Sequence, residues 1–254
     1  MLLLSAIVVG GCAATDPLPR HAWVDADHAL ALMAERGAKV ETLTARCAVA
    51  MRSGHEDVTF DGAVVARLPH DLRLRGWKFD RAVIDLTIRE DGVWFWTAQQ
   101  RESLESGSML DAMNNPRARG TGLAMVIGAM VDGPWHQTEV QGDELTATQM
   151  LDSGWQLQAT IDRPTLTISR YALIDGDGHV VQQVRLDRYV MVNDMPWPMR
   201  IVAEGYGRGG RGSGVGGASG QIVVRLSDVS LNEGLADGAF NPPRRAIRQN
   251  GDER

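Results

Sequence analysis

Two cysteines and six histidines are the residues of this chain best able to do covalent or metal chemistry, and their spacing narrows what that chemistry is. Cys12 ends an apolar run, Leu2-Leu3-Leu4-Ser5-Ala6-Ile7-Val8-Val9, after two small residues, Gly10 and Gly11. Cys47 lies instead in Leu43-Thr44-Ala45-Arg46-Cys47-Ala48-Val49-Ala50-Met51, whose odd positions are mostly apolar, and reads as a buried structural thiol. If Cys12 is modified, no intrachain disulfide can form. His21, His28, His55, His70, His136 and His179 are scattered, with no helical pair or Cys/His cluster of the kind that holds zinc. Asp175-Gly176-Asp177-Gly178-His179 opens like a calcium loop, but Asp187 falls one residue beyond the position where such a loop needs its last carboxylate. A Gly-rich β-turn is the better reading. There is no Gly-x-Ser-x-Gly elbow, and the Gly-rich stretch near the C-terminus lacks the Gly-Lys-Ser/Thr of a phosphate loop. No catalytic or metal-ligating residue is assigned, and the chain is expected not to be an enzyme. A hydrolase acting on an envelope lipid would need an acid/base pair lining a cavity.

The elements around these residues follow from hydrophobic period. Residues 2–9 are far short of the ~20 apolar residues that span a bilayer, so they read as a processed targeting signal. A helix is predicted from Ala26 to about Lys39, with Asp25 or Asp27 at its N-cap. From Leu43 the period becomes two. Strands are predicted at 43–51, 57–67, 71–78, 81–90 and 92–98, with Asp91-Gly92 marking a hairpin. Residues 103–114 and 121–131 look helical, and the second is apolar on nearly every side, so it must be buried all round. Strands resume at 144–150, 154–162, 165–174, 179–192, 197–205 and 221–231. So many sequential strands predict one strongly curved sheet or barrel, mainly β, of about eleven strands. Residues 205–220 are so rich in glycine that a long mobile insert is expected.

What this arrangement offers is an apolar interior. Trp94-Phe95-Trp96 puts three aromatics in one strand, and the apolar helix supplies methionines, which make soft walls suited to flexible chains. The candidate cavity and lid residues are Leu74, Ile84, Leu86, Trp94 and Trp96 on strands, and Leu123, Met125, Val126, Ile127 and Met130 on the helix. No cofactor is expected beyond a bound lipid or fatty acid. The formal net charge of −6 gives no general attraction to nucleic acid, and no nucleic-acid partner is expected.

Two resemblances sharpen this. Val9-Gly10-Gly11-Cys12 resembles the lipobox of bacterial lipoproteins, although no Lys or Arg precedes the apolar run. It implies a signal peptide over residues 1–11, a lipidated Cys12, and a tether over residues 12–22. A plain secretory signal with an incidental cysteine is the alternative. Each buried CH2 adds ~0.8 kcal/mol, and two or more chains anchor a protein stably. Ala13 lacks the Asp that marks inner-membrane retention, so the resemblance implies an outer-membrane anchor facing the periplasm.

Three further passages, residues 60–74, 83–96 and 226–243, resemble the LolA/LolB superfamily of lipoprotein carriers and receptors. They match its strand, Pro-containing turn and Leu-Arg-Leu strand; its hairpin with an aromatic strand; and its ending Asn, Leu, Asp, Phe-x-x-Pro. The resemblance implies an unclosed antiparallel half-barrel over residues 23–243, with an N-terminal helix and a helical lid or plug, followed by a polar tail over residues 244–254. It also implies a non-enzymatic monomer that shelters lipid acyl chains or lipoproteins, as in transport to the outer membrane. The exposed apolar loop tip that a receptor of this kind uses is not identified in the sequence. The alternative is an envelope scaffold that reuses the fold for protein contact.

Overall fold

The computed structural model describes residues 17–53, 56–98, 134–151, 154–206, 218–241 and 247–248. Cys12, both expected lid helices and most of the Gly-rich stretch lie outside these residues. The helix α1 (Ala26–Ala38) begins at Asp25, whose carboxylate accepts from the His28 N–H at 2.8 Å. That bond satisfies one of the amides every helix start leaves without a partner. Ala29, Leu30 and Met33 form its buried face. No helix among the described residues is long and apolar enough to cross a membrane.

Among the described residues thirteen strands follow the helix. They are β1 (Thr42–Ser53), β2 (Glu56–Arg67), β3 (Asp71–Lys78), β4 (Arg81–Arg89), β5 (Gly92–Thr97), β6 (Gln137–Gln141) and β7 (Glu144–Met150). The series continues with β8 (Gln156–Asp162), β9 (Thr167–Ile174), β10 (Val180–Val192), β11 (Met195–Tyr206), β12 (Ala218–Leu231) and β13 (Ile247–Arg248). All belong to one antiparallel sheet, ordered β13-β5-β4-β3-β2-β1-β12-β11-β10-β9-β8-β7-β6. Its ends, β13 and β6, do not pair with each other, so the sheet is an unclosed half-barrel. The mainly β fold class is as the sequence predicts. The two strands beyond the expected eleven are β6, exposed at all five positions, and the two-residue β13. In the second, Ile247 and Arg248 pair with Phe95 and Trp94.

Alternation sets the two faces. On β1, Leu43, Ala45, Cys47 and Val49 are buried, and the residues between them are not. The ladder carries this face across the sheet: Val49 stands opposite Phe60, Ala45 opposite Val64, Val64 opposite Leu74, and Leu74 opposite Leu86. α1 joins the same apolar cluster through Ala29, Leu30 and Met33. We call this the inner face.

Local details explain the motifs. Asn232 ends β12 at φ +62°, a left-handed conformation that Asn tolerates. Its side chain accepts from Glu41 N–H at 2.8 Å and donates to the Lys39 carbonyl at 2.7 Å, clasping the α1–β1 junction to the end of the sheet. The β4–β5 hairpin is present, but its loop residues are Glu90 and Asp91, with Arg89 paired to Gly92. At the edges of the Gly-rich stretch Gly205 pairs with Gly220 and Tyr206 with Ala218.

Candidate functional site: the two faces of the half-barrel

The structure divides the described candidates between opposite faces. Leu74, Ile84 and Leu86 are on the inner face, with Ile84 buried and the two leucines half-buried. Trp96 stands opposite Asp85 and Trp94 opposite Thr87, which puts both tryptophans on the outer face. The guanidinium of Arg89, another outer-face residue, lies over the Trp94 ring at 5.7 Å. Alternation puts Trp94 and Trp96 on one face, and the register that sets them opposite Thr87 and Asp85 decides which face that is. Leu123, Met125, Val126, Ile127 and Met130 lie outside the described residues, as does Cys12.

The inner face is not uniform. Toward β7–β9 it is filled: Leu145, Leu157, Ile161 and Tyr171 are fully buried. Toward β3 and β4 the adjacent Leu74 and Leu86 keep part of their surface open. Beneath the C-terminal half of α1 lies a crevice of about 50 Å³, lined in part by Met33, Arg36, Val40, Ile168 and Trp197. Arg36 donates to the Leu166 carbonyl at 3.2 Å, and its Nη2 lies 3.0 Å from His21 Nε2. Burial pulls the Arg36 guanidinium down from its ordinary pKa. Burial and the Arg36 charge both lower that of His21. Tyr189 donates to the Ile168 carbonyl at 2.6 Å, and burial raises its phenol.

The outer face of β3 and β4 is also covered. Asp85 and Thr87 are buried there, and Arg73 forms a two-pronged ion pair with Asp85 at 2.9 and 2.8 Å. Arg73 also donates to the Ala239 carbonyl at 3.1 Å, which fixes the C-terminal segment on this face. Phe240 is buried with the Arg67 guanidinium 5.2 Å from its ring centre. Between this segment, the ends of β2 to β4 and the β4–β5 loop is an open cleft of about 530 Å³. Arg67 and Arg89 line it together with Asp71, Glu90 and Asp91, so it is a mixed-charge groove rather than an apolar cavity.

Asp175, Asp177 and His179 come together, with ligand atoms within 4.8 Å of one another. The Asp175 carboxylate already accepts from the Asp177 and His179 N–H groups at 3.0 and 2.9 Å. It is the internal acceptor of the β9–β10 turn, as the turn reading expects.

One feature was missed in the sequence. Phe79 is 87% exposed at the tip of the β3–β4 hairpin, beside Trp77 at 38%. Phe79 and Asp80 both take positive φ, +51° and +58°, as a two-residue hairpin turn demands. The usual Asn-Gly or Asp-Gly signal is absent, so only the abrupt break between residues 78 and 81 could have located it.

No protein-family model and no curated protein sequence matches the chain. Solved structures do resemble it. A LolA superfamily protein from Nitrosomonas europaea matches with a TM-score of 0.53 at 12% identity, over 84% of this chain and 96% of that one. A DUF1329 family protein from Desulfovibrio piger matches with a TM-score of 0.51 at 12% identity, over 84% of this chain and 96% of its own. A domain assigned to outer membrane lipoprotein sorting in Vibrio parahaemolyticus also gives 0.51 at 12% identity, over 85% and 97%. With the unclosed antiparallel sheet and its N-terminal helix, these likenesses show that the chain has a LolA-like fold.

Proposed function

We propose that this chain is a lipid-anchored envelope protein that holds acyl chains, free or on lipoproteins, against the inner face of its half-barrel. The observation that carries the reading is the ladder from β1 to β4, which gathers apolar side chains onto one face and leaves Leu74 and Leu86 half-open. Burying apolar surface is the main drive for taking up such a ligand. A fold shared with a domain assigned to outer membrane lipoprotein sorting supports the reading. So does the sequence around Cys12. In this reading Cys12 carries the anchor, the protein faces the periplasm from the outer membrane as a monomer, and it performs no covalent chemistry. Transport of lipoproteins is the finer form of the proposal. Phe79 would be the apolar tip that touches the membrane during handover.

The filled β7–β9 region favours a second reading, a scaffold whose interior is merely packed. Organic extraction of the purified protein separates the two. Co-purified lipid, together with saturable binding of a fluorescent fatty acid, is expected for the first. Absence of both would leave the scaffold. Labelling with a palmitate analogue should mark the wild type and spare Cys12→Ser.

A further inference from the structure

The outer face of β9 to β12 sets like charges directly against each other. Arg170 stands opposite Arg185, and Arg200 opposite Arg225. Arg200 is two residues from Val202, the partner of Arg185, so the two pairs are diagonal neighbours. The four side chains form one stripe across four strands. The ladder fixes its face, because Arg225 pairs with Ala48, between the inward-facing Cys47 and Val49. Like charges directly opposite in an antiparallel pair cost stability. Ion pairs offset half of the stripe: Arg185 bonds Glu204 at 3.0 Å and Arg200 bonds Asp187 at 2.7 Å. Arg170 reaches only the Thr160 hydroxyl, at 3.1 Å, and Arg225 has no carboxylate partner among the described residues. Both are exposed. In the row of Arg225 the acids stand two strands to either side: Asp187, taken by Arg200, and Asp61. Four guanidiniums against two carboxylates leave two uncompensated positive charges here, on a chain whose formal net charge is −6.

The same row leads to an aromatic. From Arg225 it runs through Ala48 and Asp61 to Trp77, which is 38% exposed. Three inter-strand steps of about 4.8 Å separate Arg225 from Trp77, so one patch of headgroups can cover both. Just beyond Trp77 is Phe79, with the Lys78 ammonium 5.8 Å from its ring centre. Arginine suits phosphate, and tryptophan suits the boundary between headgroups and acyl chains. The combination favours a bilayer over an acidic protein segment. We infer that this outer face rests on an anionic phospholipid bilayer, with Arg170 and Arg225 binding lipid phosphates. Two such charges are too few to hold a protein at a membrane, but they orient one that an anchor keeps there. This goes beyond acyl binding and stands without it, since the inner face plays no part.

The test is co-sedimentation of the full chain carrying Cys12→Ser with two kinds of vesicle, phosphatidylcholine alone and an equal mixture of phosphatidylcholine and phosphatidylglycerol. The protein should prefer the mixed vesicles, and added salt should erase the preference. Arg170→Gln and Arg225→Gln should each weaken binding to mixed vesicles by about fivefold and leave phosphatidylcholine binding unchanged. Arg225→Lys should keep most of the preference. Because Arg225 stands against Arg200, Arg225→Gln should hold or raise the urea midpoint. A lowered midpoint would give Arg225 a structural role and overturn the stripe as a binding surface. Equal binding to both vesicles, or a preference that survives the double Gln variant, overturns the proposal and leaves acyl binding intact. So does arginine-dependent capture of polyglutamate without vesicle binding, which would assign the face to an acidic protein.

Discussion

A Cβ placed on Gly76 would lie 2.4 Å from Cδ2 of Phe60 and 2.5 Å from Cγ2 of Ile84. The Phe60 ring on β2 therefore occupies the space that glycine leaves open on β3, and the inner face is closed there by an aromatic lying across a backbone. Gly76→Ala should destabilise the fold by about 1–3 kcal/mol through overpacking, measured by urea denaturation. Phe60→Leu in the same chain should relieve part of that loss, so the double variant costs less than the sum of the two singles.

How far such a contact is legible in the sequence depends on whether local period carries it. The helix from Ala26 and its Asp25 cap, the hairpins from β1 to β5 and the pairs from β7 to β12 follow from alternation and turn residues. β6 does not, since Gln137-Thr138-Glu139-Val140-Gln141 has one apolar residue and is exposed throughout. β13 is too short to show any period. Trp94 and Trp96 were candidate cavity residues alongside Leu86, and the sequence shows only that Trp94-Phe95-Trp96 makes both faces of a strand apolar; the ladder sets Trp94 and Trp96 opposite Thr87 and Asp85. The burial of Asp85 and Thr87 was also illegible, because it comes from a segment some 150 residues later in the chain, where Arg73 meets Ala239 at a separation of 166.

That outer-face contact has its own consequence. The Arg73 and Asp85 side chains are 16% and 8% exposed. Removing one partner of a buried pair leaves the other charge uncompensated, so Asp85→Ala should cost about 3–5 kcal/mol. Arg73→Met with Asp85→Leu should recover most of the loss. Arg73→Met should also release the segment around Ala239 to limited proteolysis. Unchanged cleavage there would show that the segment is held by other contacts.

Burial, with Asp61 adding to it, pushes the Cys47 thiol up to about 11. Native protein at pH 8 should therefore resist a thiol reagent, and modification should track unfolding as urea is added. A thiol raised from 9.0 to about 11 favours the folded state most at low pH. Its contribution should fall as pH rises from about 9 through about 11, which Cys47→Ala would remove from the pH profile. Fast labelling of the native protein at pH 8 would contradict the burial.

Phe79 makes few demands on the fold at 87% exposure. Phe79→Ser should leave the urea midpoint nearly unchanged. If the hairpin tip enters a lipid interface, the same change should weaken vesicle association of the unlipidated protein by about 10- to 100-fold, the equivalent of losing ~1.5–3 kcal/mol of aromatic burial. Equal vesicle binding by wild type and variant would remove the tip from any handover step.

The most direct test of acyl binding on the inner face is photo-crosslinking with a diazirine fatty acid, read by peptide mass spectrometry. The account expects adducts on peptides carrying Leu74 and Leu86 at those inner-face side chains, competed away by unlabelled fatty acid. Adducts confined to Trp94, Trp96 or the Phe240 segment, or labelling that does not saturate, would contradict it.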